Sequence, residues 1–186
     1  DILVKKVFGE AGAEVVIEER MTGQEVSLMA FTDGTSVVPM LPAQDHKRLL
    51  DGDKGLNTGG MGAYAPAPIF TSEMLNEAVE HVLKPAVDGM KSEGNPFVGV
   101  LYAGLMLTPN GIRVLEFNCR FGDPETQVVL PLLETDLVEI AEVCADGNLA
   151  NINVQWKNNA TVCVVLASKG YPEKMESGKV ITIEKL

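Results

Sequence analysis

Positive charge is scarce in this 186-residue chain: 15 Lys and Arg face 26 Asp and Glu, for a formal net charge of −11. Nonspecific nucleic-acid binding needs a basic footprint, so composition argues against that class. Cysteine is scarce too. Cys119, Cys144 and Cys163 are odd in number and widely spaced, which suggests neither a disulfide framework nor a zinc site and fits a reducing compartment such as the cytoplasm. No apolar run approaches the ~20 residues of a membrane-spanning helix, and no signal peptide opens the sequence. Neither histidine, His46 nor His81, stands at a recognisable spacing from a serine or cysteine nucleophile. Internal repeats are absent. What is present is 46% hydrophobic and 22% charged, enough for one domain with a core or for one domain and part of a second.

Along the chain, residues 14–19 and 25–31 are rich in β-formers and joined through Thr22-Gly23, which predicts a hairpin. Thr32–Thr35 reads as a turn into a third strand over 36–40. Residues 41–70 are rich in Gly and Pro without a sustained period, the composition of a long functional loop. A helix is expected from an N-cap at Thr71 or Ser72, kinked or restarted at Pro85 and ending near Gly94. Residues 97–108 read as an apolar strand, turned at Asn110-Gly111 into an antiparallel partner over 112–118. Thr135 is expected to cap a helix ending before Gly147, and residues 160–167 read as a buried strand. Hairpins dominate, so the expected class is α+β. Residues 2–8 and 179–186 read as elements cut short, so the chain is expected to be a piece of a longer protein.

One stretch carries functional side chains in step. In an extended strand alternate residues share a face, so Glu116, Asn118 and Arg120 are expected to project together, with Leu115, Phe117 and Cys119 turned into a core. An acid and an amide offer hard oxygens to Mg²⁺ beside a phosphate-binding guanidinium. Asp123 and Glu125 add carboxylates in the next loop. The bland alternative is a polar face on an edge strand. Upstream, Asn57–Gly62 offers flexible backbone to an anion, and Thr58 adds a hydroxyl. It matches neither the phosphate-loop pattern nor the dinucleotide fingerprint. Asp45, His46, Lys47 and Arg48 place charge beside it, where the bland reading is a solvated charge run. Glu18, Glu19 and Met21 after the first strand, with Glu25 on the second, form a possible adenosine hinge.

Three segments together resemble a known family: Pro42–Leu50, Asn57–Tyr64 and Leu115–Gln127. They are similar to glycinamide ribonucleotide synthetases (phosphoribosylamine–glycine ligases) of the ATP-grasp superfamily, and Arg120-Phe-Gly-Asp-Pro-Glu-Thr-Gln127 looks like that family's own signature. The likeness runs from about residue 14 to Pro172. It implies an ATP-grasp antiparallel sheet with flanking helices over residues 1–150 and the beginning of a C-terminal domain over 151–186. It also implies a two-step reaction, in which glycine is activated by ATP as an acyl phosphate and the amine of 5-phosphoribosylamine displaces phosphate. On this resemblance Glu116 and Asn118 hold Mg²⁺ or Mn²⁺, and Glu18, Glu19, Met21 and Glu25 line the adenosine site. Arg120, Asp45 and Lys47 are the catalytic candidates. Arg48, Asn57, Thr58, Gly59 and Asp123 are the substrate contacts.

On this resemblance the family's lysine-bearing clamp loop is expected to lie outside this sequence and the isolated chain to be inactive, and the resemblance allows a parent fused to other purine-pathway enzymes. Two further readings stay open: another ATP-grasp ligase or carboxylase, and a Mg–nucleotide-binding module without turnover.

Overall fold

The computed structural model describes residues 2–183. After a helical turn, α1 (Ile2–Lys5), the chain runs irregularly to a long strand, β1 (Gln24–Asp33), which turns back as β2 (Val37–Pro39). Gly34, at φ +86°, makes that turn. Four short strands follow: β3 (Gln44–Asp45), β4 (Arg48–Leu50), β5 (Lys54–Asn57) and β6 (Gly62–Ala65). Next come α2 (Ser72–Ala78), a π-turn over Val79–Leu83 and α3 (Lys84–Ser92). The Asn-Gly turn joins β7 (Val98–Thr108) to β8 (Gly111–Asn118). Short helices α4 (Thr126–Val129) and α5 (Leu137–Ala145) precede the last described strand, β9 (Thr161–Val164).

The main sheet has the order β2-β1-β7-β8 and is antiparallel throughout, so the class is α+β. Its two central strands are buried on both faces. Val26, Leu28 and Ala30 pack with Leu101, Ala103 and Leu105 against Ala78, Leu83 and Val87 of the helical layer. On the opposite face Met29, Phe31 and Tyr102 meet Val128, Leu132 and Ile140. Each fully buried Leu contributes about 1.5–3 kcal/mol, which makes this pair of strands the stable centre of the fold. Beside it stand a three-stranded sheet, β3-β6-β9, and the β4-β5 hairpin.

Several expectations change. Residues 14–19 form no strand: among the described residues none pairs with them, and Val16 and Ile17 are 86% and 90% exposed. High β-propensity without a neighbouring edge leaves an extended segment only. The expected loop at 41–70 contains four strands, each too short to show a period. The helix passes Pro85 because the π-turn before it places the proline at the start of α3, where its missing N–H costs little. Thr71 caps α2 by accepting from Met74 N, as expected. Asp136, not Thr135, caps α5, and the Thr135 hydroxyl accepts from Gln155 N instead. The run at 160–167 is not buried, since among the described residues β9 pairs only with β6 and leaves Val162 and Val164 exposed. Residues 179–183 form no strand, and the rest of that expected strand lies outside the described residues.

Candidate active site

Antiparallel pairing lines up side chains in rows across the sheet. Ser27 on β1 stands opposite Gly104 on β7, which stands opposite Glu116 on β8. The next row is Met29, Tyr102 and Asn118. Glu116 and Asn118 therefore share the face of Ser27 and Tyr102, and Asn118 Nδ2 donates to Glu116 Oε1 at 3.2 Å. A bulge sharpens this placement. Leu105 pairs with Val114 but Gly104 with Glu116, so Leu115 is the extra residue and the strand is re-aimed just before the acid. Gly104 keeps the floor open, because a Cβ there would lie 3.2 Å from Glu116 Cγ.

Alternation does not reach Arg120. β8 ends at Asn118, and the guanidinium turns along the chain to donate to Phe121 O at 2.8 Å. Leu115, Phe117 and Cys119 do not enter a core either. Leu115 is taken by the bulge and stays half-buried, Cys119 is exposed, and Phe117 is 44% exposed beside α3. β8 is an edge strand, and the helical layer covers its other face only in part: Ile112 packs on that core, while Phe117 and Cys119 border an open groove beside α3.

Lys47 Nζ lies 3.0 Å from Glu25 Oε2. Burial alone would lower the Lys47 pKa, but the Glu25 hydrogen bond and the charges of Glu25, Asp45 and Glu116 outweigh it and hold the ammonium above its ordinary range. Asp45 has the opposite fate. Burial, then the charges of Glu125 and Glu25, push its carboxyl up to about 7 against the pull of Lys47 and the His46 amide. Asp45 Oδ1 is buried without a hydrogen-bond partner. Glu25, Gln44, Asp45, His46, Lys47, Arg48 and Asn57 line one cleft of about 440 Å³.

Glu18, Glu19 and Met21 form a separate pocket of about 340 Å³ with Arg113, Val114 and Leu115. Glu25 thus stands with Lys47 rather than with the other three residues of the expected adenosine set. The Asp123 carboxylate accepts from Gln127 Nε2 at 2.7 Å, and Arg48 donates to Gly55 O at 2.8 Å.

The glycine loop differs from the anion cradle expected of it. Thr58 N donates to Lys47 O, Gly60 N to the Thr58 hydroxyl and Met61 N to His46 O. Gly59 N donates to the Tyr171 hydroxyl at 2.7 Å. These amides already have acceptors, so the loop works as a bracket. Gly60, at φ +125°, is pressed against the next layer: a Cβ there would sit 2.4 Å from Pro124 Cδ and 2.8 Å from Asp45 Oδ1.

Sequence reasoning missed Ser27, Tyr102 and Tyr171, and read Glu125 only as one more loop carboxylate. Glu125 is 2% exposed, and its Oε1 accepts from Ser27 Oγ at 2.7 Å and Tyr102 OH at 2.8 Å. The available signal was a hydroxyl-bearing residue in each of two otherwise apolar strands. Tyr171 gave no such signal.

Known proteins resemble this arrangement. A bovine trifunctional purine biosynthetic protein adenosine-3 is 57% identical over 98% of this chain, and a phosphoribosylamine–glycine ligase from a Nostoc species is 55% identical over 98%. The crystal structure of a phosphoribosylamine–glycine ligase from Thermotoga maritima superposes with a TM-score of 0.80 at 36% identity, covering 90% of this chain and 42% of that one. The chain spans 18% of the bovine relative's length and 43% of the Nostoc one. The family model for the phosphoribosylglycinamide synthetase ATP-grasp (A) domain matches residues 1–126, and the chain belongs to that family.

Proposed function

We propose that this chain supplies the ATP- and metal-binding face of a cytoplasmic ligase that joins glycine to 5-phosphoribosylamine, releasing ADP and phosphate. The observation that carries this reading is the row geometry: Glu116 and Asn118 side by side at the mouth of a face whose depth holds Lys47, Glu25 and Asp45. Two hard-oxygen side chains fit Mg²⁺ or Mn²⁺, since such ions complete their shells with phosphate oxygens and water. The fit is local. With its Nδ2 on Glu116, Asn118 keeps Oδ1 as an acceptor, and no cluster of three or more His, Cys, Asp or Glu able to hold a metal occurs among the described residues. When bound, the ion would neutralise phosphate charge during phosphoryl transfer.

The chain's own residues supply the rest. Lys47, held protonated by Glu25, presents a fixed positive charge to a phosphate or carboxylate oxygen in the cleft. Arg48 adds a guanidinium donor at its rim, and Arg120, two residues beyond Asn118, is the further cation for phosphate. Asn57, Thr58, Gly59 and Asp123 stand as substrate-side contacts, with Asn57 offering its carboxamide because the neighbouring amides are engaged. The pocket of Glu18, Glu19 and Met21 provides backbone and apolar surface for the adenine, and Glu25 provides an acceptor for ribose hydroxyls when Lys47 turns to phosphate. Relatives with bifunctional and trifunctional purine-biosynthetic names support a parent fused to further enzymes of the same route.

The test is ADP release by the full-length protein that contains this chain, with ATP, a divalent cation, glycine and phosphoribosylamine, omitting each in turn. Release is expected only when all four are present. Glu116→Gln should lower kcat/KM on the order of 100-fold, the loss expected when a phosphate-neutralising ion is weakened. Full activity in that variant would sink the metal assignment. Release with a different carboxylate would redirect the reading to another ATP-grasp ligase.

A further inference from the structure

Beneath the cleft lies a buried polar triangle that the ligase reading leaves unexplained. Ser27 from β1, Tyr102 from β7 and Glu125 from the turn entering α4 meet there: the hydroxyl oxygens are 2.7 Å apart, and both donate to the same carboxylate oxygen. All three residues are buried, Ser27 and Tyr102 at 5% exposure. A carboxylate in such a place carries a desolvation cost of several kcal/mol, which two hydroxyl donors offset only in part. Apolar residues of the same volume would hold these layers together better, so stability alone does not account for the charge.

Its position does. Gly122 lets the turn close over the acid, since a Cβ there would fall 2.5 Å from Glu125 Oε2 and 3.0 Å from Tyr102 Cε2. The preceding residue, Pro124, packs on Gly60, and the same Gly60 lies against Asp45 Oδ1. Placement of Glu125 thus fixes Pro124, and Pro124 fixes the glycine bracket and Asp45. We propose that Glu125 is a positioning residue of the ligation site: the Ser27 and Tyr102 hydroxyls lock its carboxylate beneath Asp45, and Pro124 carries that placement to the Gly60 bracket. This rests on the ligase reading for its consequence in activity. Electrostatics agree with it, because the Glu125 charge is among the causes that hold Asp45 above its usual range, next after burial.

Two measurements on the full-length protein test the proposal. Tyr102→Phe removes one hydroxyl at nearly constant volume, and Glu125→Gln removes the charge. Each is expected to lower kcat for ADP release at least tenfold and raise the KM for glycine more than the KM for ATP, because the Glu18–Glu19–Met21 pocket that takes the adenine lies apart from the triangle. Independently of turnover, amide exchange at Gly60 and Met61 should quicken at least tenfold in Tyr102→Phe, with exchange in β1 and β7 unchanged. If Glu125→Gln fails to fold, Tyr102→Phe decides. Parental kcat and parental exchange in Tyr102→Phe overturn the proposal, as does a fall in kcat that only follows the folded fraction with glycine KM unchanged. A parent that releases no ADP overturns the ligase reading instead, and the exchange rates then decide the positioning role alone.

Discussion

Asp45 is a residue whose chemistry departs far from its ordinary behaviour. Its carboxyl is pushed from the usual 3.8 up to about 7 by burial and by Glu125 and Glu25, and Oδ1 has no hydrogen-bond partner. The folded chain therefore binds a proton at Asp45 that the unfolded chain has already lost over the range from about pH 4 to 7. By linkage, stability falls as pH rises through that window and levels off above it. Asn at this position keeps the shape and removes the charge. Asp45→Asn is expected to be more stable than the parent at pH 8, by about 1–2 kcal/mol in the usual range of single-residue effects. The advantage should shrink towards zero as pH approaches 4. Urea denaturation at pH 4.5, 6 and 8 would show it, and a gap that stays constant with pH would remove the charge from the explanation. Activity should move the other way, since the same side chain borders the cleft.

At the scale of elements, the glycine bracket is the part most sensitive to a single methyl group. Gly60→Ala would need φ +125° from an L-residue and would drive Cβ into Pro124 and Asp45. The bracket must then lift off the turn. A loss of about 1–3 kcal/mol in stability is expected from the strained backbone, together with a larger loss of activity than Gly59→Ala gives. Thermal melting and ADP release on the two variants would compare them.

The elements also show what was legible beforehand. Alternation placed Glu116 and Asn118 on one face because both lie within the ladder. It failed for Arg120 because the ladder stops two residues earlier, and for Phe117 because alternation says which residues share a face but not whether a layer covers it. Residues 14–19 read as a strand because propensity is local while pairing is not. The strands within 41–70 were invisible for the opposite reason: two to four residues show no period, and their existence depends on edges supplied by β9 and by one another. Ser27 and Tyr102 were obscured by the apolar runs around them. Their partner, Glu125, is 98 and 23 residues away in sequence, a separation that no local pattern encodes.

For the whole molecule, β1 and β7 are shared by two cores, and that sharing has a thermodynamic consequence. Leu28 is fully buried on the face that meets α2 and α3, whereas Trp156, the one tryptophan, packs against the core on the opposite face. If the cores were independent, a cavity at Leu28 would loosen the helical layer and leave the tryptophan's surroundings alone. They are coupled through one backbone, because residues alternating along β1 belong to different cores: Leu28 and Ala30 to one, Met29 and Phe31 to the other. Neither core keeps its strands in register without the other. Leu28→Ala is therefore expected to cost about 2–5 kcal/mol, and to move the Trp156 fluorescence transition by the same amount as the far-ultraviolet circular dichroism transition in urea. Separation of the two curves in the variant would mean that the cores melt apart. The site face would then owe its order to the α4–α5 side alone, and mutations behind the sheet should leave it intact. Coincident curves would mean that Glu116, Asn118 and the Ser27–Tyr102–Glu125 triangle are held in place by helices on the far side of the sheet.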